Sequence, residues 1–130
     1  MSASLAVQSL IVAALRSAPG LEPLTGVCDG VAPDAVAPYL TVGPDSMADW
    51  SHQTGTGHEH AVRLALWDDR PGTARVKVLA AAAETAIRAL SGSRDATRIA
   101  GVAFIRTVFV KDPGGWTQAA IDFRIRTEQL

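Results

Sequence analysis

The sequence predicts an α+β fold, in which a small mixed or antiparallel sheet of four strands, or slightly more, carries two helices on one face. Two segments have apolar residues at helical spacing, and four segments have them at strand spacing. Their order is helix, strand, strand, helix, strand, strand, which favours an antiparallel or mixed sheet with both helices on the same side. The length of 130 residues fits a single domain over residues 1–130.

The first part of the chain is predicted as one helix, a loop-rich stretch and one short strand. Residues 4–17 have helical periodicity, with Ser4 as the expected N-cap and Pro19-Gly20 as the stop signal. Residues 21–38 are rich in proline and in turn-forming residues, which indicates loops. Residues 39–42 combine aromatic and β-branched side chains and are predicted as a short strand.

The middle of the chain is predicted as a polar loop followed by a half-buried strand. The stretch 44–57 is polar and contains glycine, and the strand covers residues 59–67. Asp68-Asp69 then lies in a turn, where it is expected to supply negative charge near the start of the next helix. The strand alternates between two faces, and the face predicted to be buried consists of His60, Val62, Leu64 and Leu66.

The last part of the chain contains the clearest helical pattern and two long strands. Residues 73–90 are predicted as a helix that ends just before Gly92. Residues 98–111 and 116–127 are predicted as strands joined by a hairpin turn at Asp112-Pro113-Gly114-Gly115. The apolar stripe of the helix consists of Val76, Leu79, Ala80, Ala83, Ile87 and Leu90.

The strand 98–111 is apolar on both of its faces. Two helices cover only one face of a four-stranded sheet, so a second apolar face predicts burial against another subunit. The alternative is a twisted sheet whose long hairpin covers itself. Strict alternation groups Ile99, Ala103, Ile105 and Phe109 on one face, and Val102, Phe104, Val108 and Val110 on the other.

Composition and charge exclude several classes of protein. Hydrophobic residues make up 48% of the chain and charged residues 19%, which is not the composition of a disordered protein. The net charge is −1 and the 12 basic residues are scattered, so a DNA-binding role is not supported. The single Cys28 allows no intrachain disulfide. The N-terminal segment has the features of neither a signal peptide nor a membrane span, which predicts synthesis in the cytosol and no membrane partner.

Three neighbouring histidines, His52, His58 and His60, raise the question of a metal site. On a strand, His58 and His60 share one face and Glu59 points to the other. There is no third ligand at a reliable spacing, no cysteine cluster and no helical His-Glu-x-x-His motif. We therefore predict surface histidines, with no bound metal and no other cofactor.

Catalytic motifs have equally little support. Asp49, Ser51 and His52 have the residue types of a hydrolase triad, but neighbours in one loop do not form the linear relay that the chemistry needs. Gly55-Thr56-Gly57 is not followed by the Lys-Ser/Thr pair of a phosphate-binding loop, and no helix is predicted after it. The sequence therefore predicts no catalytic residue and no enzymatic activity, and the loop 49–60 is interpreted as an assembly element. A small metal-dependent or hydrolytic domain is the alternative, and it would use Asp49, His52, His58 and His60.

The tryptophans allow two interpretations. Exposed tryptophan near a loop is a favoured interface anchor, whereas a tryptophan at a strand end also plugs the edge of a core. Both interpretations stay open for Trp50 and Trp116, while the position of Trp67 at a strand end favours the core.

Several motifs together resemble a known family. Asp29-Gly30-x-x-Pro-x-x-x-x-Pro-Tyr39 is followed by Asp49-Trp50-Ser51 and by Thr54-Gly55-x-Gly57-x-Glu59-His60. A strand that ends in Trp67, an alanine-rich helix and a closing strand with Trp116, Phe123 and Arg124 complete the pattern. The chain resembles the tail completion family of long-tailed phages and phage-like gene transfer agents, and within it the alphaproteobacterial gene transfer agent tail terminators.

The resemblance implies a structural subunit that forms a homohexameric ring in the neck of a virion, at the head–tail junction, after assembly in the bacterial cytoplasm. Such a ring caps the tail tube, made of the tail tube protein, and joins the tail to the head-side stopper beneath the portal. DNA passes through the lumen during ejection, which implies only transient contact with it. Another head–tail connector component, a stopper or an adaptor, is the alternative within the same apparatus.

The residues predicted to form interfaces lie in three places: the polar loop, the doubly apolar strand and the hairpin tip. Loops commonly carry binding function, and a ring repeats one heterologous contact around its axis. The predicted interface residues are Trp50, Ser51, Thr54, Gly55 and Gly57 in the loop, Phe104 and Val108 in the strand, and Asp112 and Trp116 at the tip.

Overall fold

In the computed structural model, which describes residues 2–30, 34–43 and 46–130, two helices lie on one face of a seven-stranded sheet. The helices are α1, Ala3–Arg16, and α2, Ala74–Arg88. The predicted α+β class with two helices against a mixed sheet is therefore confirmed. Pro33, which belongs to the motif that carries the resemblance, and residues 44–45 of the predicted polar loop lie outside the described residues.

The sheet has the order β1-β2-β4-β7-β6-β5, with β3 beside β4. β1 and β2 are parallel, and the other neighbours are antiparallel. β2 and β3 share one side of β4, because β2 pairs with residues 64–67 and β3 with residues 58–61. The strands are β1 Val27–Asp29, β2 Tyr39–Val42, β3 Ser46–Asp49, β4 Gly57–Asp68, β5 Ser93–Arg94, β6 Thr97–Lys111 and β7 Thr117–Gln129.

Both helices form where helical periodicity predicts them, but α1 starts before its predicted cap. The hydroxyl of Ser2 accepts a hydrogen bond from the amide of Leu5 at 3.3 Å, so Ser2 is the N-cap and Ser4 lies inside the helix. The prediction of Ser4 was wrong because two serines of equal capping ability stand two residues apart. α2 buries the whole predicted stripe, including Leu90 just beyond its end. None of the described helices has the length and apolar character needed to cross a membrane.

β4 and β7 pair over the full length of β4 and form the centre of the core. α2 packs across β4, β6 and β7. The predicted buried face of β4 is confirmed, since none of its four residues is more than 3% exposed. The matching face of β7, no residue of which is more than 2% exposed, consists of Thr117, Ala119, Ile121, Phe123, Ile125 and Thr127.

Three short strands lie where loops were expected. β1 lies inside the stretch 21–38, β3 inside the stretch 44–57, and β5 directly after α2. Their lengths are 3, 4 and 2 residues, too short to show a periodic pattern. They form because longer neighbouring strands offer unpaired backbone groups, which need partners.

β6 departs from the alternation that the sequence suggests. Its register with β7 shifts between Ile99 and Gly101 and again between Phe104 and Arg106. Each shift is a β-bulge, and a bulge moves the following side chains to the opposite face. The grouping of Phe104 with Val108 was therefore wrong. The helix-covered face of β6 consists of Thr97, Ile99, Val102, Phe104, Thr107, Phe109 and Lys111, and the opposite face includes Ala103, Arg106, Val108 and Val110.

An ion pair fastens the end of β4 to the start of α2. Asp68 is 1% exposed, accepts a hydrogen bond from Nε of Arg75 at 3.1 Å and also bonds Nη2 of Arg75. These hydrogen bonds hold the pKa of Asp68 below its ordinary value. The first turn of α2 contains no acidic residue, so the prediction that Asp68-Asp69 serves as helix N-terminal charge is corrected. Asp68 instead fixes the strand-to-helix connection through a side-chain pair.

Candidate assembly surfaces

The predicted assembly loop is a tight hairpin between β3 and β4. The amide of Trp50 donates to the carbonyl of Gly57 at 2.9 Å, and His52 and Gly55 exchange backbone hydrogen bonds at 2.8 and 3.3 Å. The carbonyl of Thr56 accepts a hydrogen bond of 2.8 Å from the last residue of β7, which ties the loop to the sheet. The nominated residues on the exposed surface of this hairpin are Ser51, Thr54 and Gly55.

Trp50 is half-buried and has a fixed orientation. Its ring meets His52 edge-on with 4.5 Å between ring centroids, and the guanidinium of Arg126 lies 5.0 Å from its centroid. Arg126 in turn pairs with Glu59 at 2.9 Å. Gly57 permits this packing, because a Cβ atom there would lie 2.7 Å from the carbonyl oxygen of Trp50 and 3.1 Å from its ring. Trp50 thus rests on the loop and β7 and leaves part of its ring open to solvent.

The serine of this loop is engaged in a turn. The Ser51 hydroxyl donates to the Asp49 carboxylate at 2.6 Å and accepts from the amide of Gly57 at 3.3 Å. A hydroxyl group has one proton to donate, so that of Ser51 does not go to His52. The arrangement is a hydrogen-bonded turn and not a nucleophile–base pair.

The three histidines have different environments, which corrects the prediction that all lie on the surface. His52 is exposed and His58 is half-buried, but His60 is 0% exposed and its Nε2 lies 3.0 Å from Oγ1 of Thr127. His58 and His60 share a face, as predicted, with 6.3 Å between ring centroids. No group of three potential metal ligands occurs within residues 2–30, 34–43 and 46–130. The alternation of His60 with Val62 in the sequence was the signal that His60 faces the core.

The second nominated loop is the hairpin turn between β6 and β7. The amide of Asp112 donates to the carbonyl of Trp116 at 2.7 Å, and the Asp112 carboxylate accepts from the amide of Gly114 at 3.0 Å. Gly115 has a φ of 94°, a conformation that favours glycine. The predicted turn is confirmed, and the carboxylate of Asp112 stabilises it.

An aromatic group supports this turn from one side. Tyr39 stacks on Trp67 with 6.3 Å between centroids and meets Trp116 edge-on at 6.4 Å. Tyr39 is only 8% exposed, whereas Trp116 is half-buried. Trp67 is half-buried against Tyr39 on the face of β4 opposite the buried stripe, and Trp116 is both packed and partly accessible.

The two loops lie at opposite ends of the long strands. β4 begins at Gly57, beside the Trp50 loop, and ends at Asp68, which pairs with Thr117 next to the hairpin turn. The 12 residues of β4 separate the loops by roughly 35 Å at about 3.3 Å per residue. One subunit thus presents two separate surfaces at the ends of one rigid sheet.

The two residues nominated on β6 lie on opposite faces. Phe104 is half-buried, packs edge-on against Phe123 at 5.7 Å between centroids and lies under the guanidinium of Arg88. Val108 is 41% exposed on the other face. Phe104 therefore belongs to the margin of the core, and Val108 to the exposed part of β6. Sequence analysis did not nominate Val110, which is 50% exposed on the same strand.

The sheet face opposite the helices carries a charged ladder. Asp122 on β7 accepts hydrogen bonds from Arg63 at 2.7 Å and from Arg106 at 3.1 Å. The Arg63 hydrogen bond, followed by that of Arg106, lowers the pKa of Asp122. A second cross-strand pair joins Arg98 to Glu128. The predicted apolar second face of β6 is thus interrupted by Arg106, while Val108 and Val110 remain exposed apolar residues on it.

Comparison with known proteins agrees with this description. The sequence model of the family described as "Tail completion protein gp17" matches residues 9–128, which is most of the chain. The chain belongs to the tail completion protein family. A chain of the solved "Virion of native gene transfer agent (GTA) particle" is similar, with 30% sequence identity, a TM-score of 0.86 and 98% of each chain covered. No curated protein matches the sequence significantly.

Membership of this family confirms the resemblance found in the motifs. The tail completion protein is a structural tail protein. In the fold, several of the motif residues contact one another or pair across the sheet: Tyr39 and Trp67 stack, Trp50 rests against Gly57, and Glu59 pairs with a residue of β7. Sequence reasoning missed the partner of Glu59, Arg126, because the register of β4 and β7 brings them together over 67 residues.

Proposed function

We propose that this protein is a tail terminator: a non-enzymatic subunit, acting as one domain, that forms a ring, caps the tail tube and joins the tail to the head of a siphophage-like particle or gene transfer agent. The ring contains six copies at the head–tail junction. Membership of the tail completion family and the similarity to a chain of a gene transfer agent virion support this proposal.

The observation that carries the joining role is the separation of the two loop surfaces. Trp50 and its hairpin lie at one end of β4, and Trp116 with the Asp112 turn lies at the other. A component that joins a tube to a stopper needs two contact surfaces on opposite sides. The strands between these loops are paired throughout, so the spacing between the two surfaces is fixed.

The partners in this proposal are copies of the same chain, the tail tube protein and the head-side stopper or portal connector. DNA contacts the ring transiently when it passes through the lumen. The nominated residues of the two loops, Trp50, Ser51, Thr54, Gly55, Gly57, Asp112 and Trp116, contact tube or stopper, and Val108 contacts the next subunit.

Imaging of assembled particles tests the proposal directly. Reconstruction of the head–tail joint is expected to contain a ring of six copies of this chain between tube and stopper. Particles without density for the chain at that joint would contradict the proposed function. Their tails would then be capped by another protein.

The substitution Trp50→Ala tests the loop. It removes a half-buried ring that contacts His52 and Arg126, and the fold should survive because Trp50 lies outside the central core. We expect folded protein, but heads and tails that stay unjoined or tails of uncontrolled length, as counted by electron microscopy. Val78→Ala, at a 67% exposed position of α2, is the control and should leave particles unchanged. Normal particles from Trp50→Ala would show that Trp50 only fills the loop.

A further inference from the structure

β6 leaves most of one backbone edge without a partner. It pairs with β7 along its whole length, but on the other side only Thr97 and Arg98 pair with β5. The amide of Ile99 adds one hydrogen bond to the carbonyl of Gly92. From residue 100 to residue 111, no strand of the described chain covers this side. A long row of free amides and carbonyls is a template for a strand from another chain.

β3 is a second open edge, on the opposite side of the sheet. It pairs with residues 58–61 of β4 on one side, and all four of its residues are exposed. On its other side it has no strand partner within the described ranges. β1 is less available, because α1 lies against it and the carbonyl of Val27 accepts a hydrogen bond of 3.1 Å from Arg16.

Charge matches these two edges to each other. β6 contains Arg98, Arg106 and Lys111 and no acidic residue. The one charged residue of β3 is acidic, Asp49. Opposite charges across neighbouring strands stabilise a sheet, and like charges destabilise it. Pairing of β6 with β6 of a second copy would bring basic strands together. Pairing of β6 with β3 of a second copy brings an acidic residue to a basic strand.

Strand direction allows the same pairing. Three antiparallel steps, from β3 to β4, from β4 to β7 and from β7 to β6, make β3 and β6 run in opposite directions. An arrangement that continues the sheet head-to-tail from copy to copy keeps the direction of each strand. The β3 strand of the next copy is then antiparallel to β6, which is the more stable type of pairing.

We infer that β6 of one subunit pairs with β3 of the next copy, so that the sheet continues from subunit to subunit. The contact is heterologous, as closure of a ring requires. Pairing with the four-residue β3 also brings a second chain towards the exposed apolar side chains of β6, which are Ile105, Val108, Phe109 and Val110. This inference rests on the proposed ring and specifies the contact that closes it.

Hydrogen exchange, measured by mass spectrometry on the unmodified chain, tests the pairing. The ring in purified particles is compared with the monomer in dilute solution. Outward amides of the four-residue β3, and those of the matching stretch within residues 100–111, should both exchange at least about tenfold more slowly in the ring. A ring that forms without slower exchange in both segments overturns the inference and leaves the proposed function standing. Slower exchange in β6 alone would show that a different strand occupies the edge, which also overturns it.

A pair of matched substitutions provides an independent test. Val108→Lys puts an ammonium group at the free edge, whereas Val78→Lys makes the same change on the exposed surface of α2, where valine is 67% exposed. Both should fold like the parent by circular dichroism. Val108→Lys should lower the affinity between subunits at least about tenfold, and Val78→Lys should not. Equal assembly of both variants would exclude the β6 edge as the contact, and absence of any ring for the parent chain would overturn the ring as well.

Discussion

The strand pair β4–β7 and the neighbouring strand β6 belong to one sheet but have very different surroundings. β4 and β7 are flanked by other strands, and their helix-covered faces are almost fully buried. β6 has one open edge, and burial of its helix-covered face declines from Thr97, which is 2% exposed, to Phe109, which is 39% exposed. The helices cover the middle of the sheet and leave the far part of β6 uncovered.

Because of this difference, we expect β4 and β7 to determine the stability of the fold, and the exposed part of β6 to determine association with a second chain. Buried apolar area is the main source of folding free energy, so β4 and β7 stabilise the subunit. β6 holds apolar side chains and backbone groups that the monomer does not bury, and these are what a second chain would cover. Substitutions in β4 or β7 should therefore change the free energy of unfolding. Substitutions at the exposed end of β6 should mainly change the association between copies of the chain.

The largest loss of stability is expected for Phe123→Ala. Phe109→Ala, on the same face of the neighbouring strand, is its comparison. Phe123 on β7 is 2% exposed, and Phe123→Ala should lower the free energy of unfolding by about 3–5 kcal/mol. Phe109 on β6 touches solvent and Lys77, and Phe109→Ala should cost about 1 kcal/mol. Urea denaturation of both variants measures the two values. Equal losses would show that β6 belongs to the core as fully as β7.

Substitution of two carboxylates compares the buried end of β4, which contains Asp68, with the exposed face of the sheet, which contains Asp122. Asp68→Asn breaks the pair with Arg75 and should cost about 2–3 kcal/mol near neutral pH, because Arg75 keeps some access to water. Asp122→Asn breaks pairs with two exposed arginines and should cost about 1 kcal/mol or less. Urea denaturation at neutral pH measures both. A larger loss for Asp122→Asn would contradict this ranking.

The Asp68 contribution should also depend on pH. Its pKa is lowered in the folded protein, so the unfolded chain binds the proton more readily. The contribution is therefore present above the unfolded pKa of about 3.9 and is lost as the pH falls through the lower folded value. The difference between the parent and Asp68→Asn should shrink below about pH 4. An undiminished difference in strong acid would show that the effect of Asp68 is not electrostatic.

The same contrast explains what the sequence could predict. Long, fully flanked elements have complete patterns: the α2 stripe and the alternation of β4 predicted both elements and their buried faces. β1, β3 and β5 have too few residues for a pattern, and their formation depends on free edges elsewhere in the sheet. The bulges of β6 are set by its register with β7, which alternation alone does not contain, so Phe104 was wrongly grouped with Val108 and Val110. His60 was misjudged by residue type although its position in the pattern indicated burial.

The last comparison concerns two glycines in the compared strands. A Cβ atom on Gly57 of β4 would lie 2.7 Å from the carbonyl oxygens of Thr127 and Trp50, whereas one on Gly101 of β6 would meet nothing within 4 Å. Gly57→Ala should therefore cost about 1–3 kcal/mol of unfolding free energy. Gly101→Ala should be neutral or stabilise by up to about 0.5 kcal/mol, since it removes freedom from the unfolded chain.

Thermal and urea denaturation of the two alanine variants measure this difference, and tryptophan fluorescence reports whether Trp50 has moved. A shifted emission spectrum is expected for Gly57→Ala alone, because the backbone carbonyl that the new methyl group displaces belongs to Trp50 itself. Equal stability of the two variants would mean that the loop yields to the methyl group.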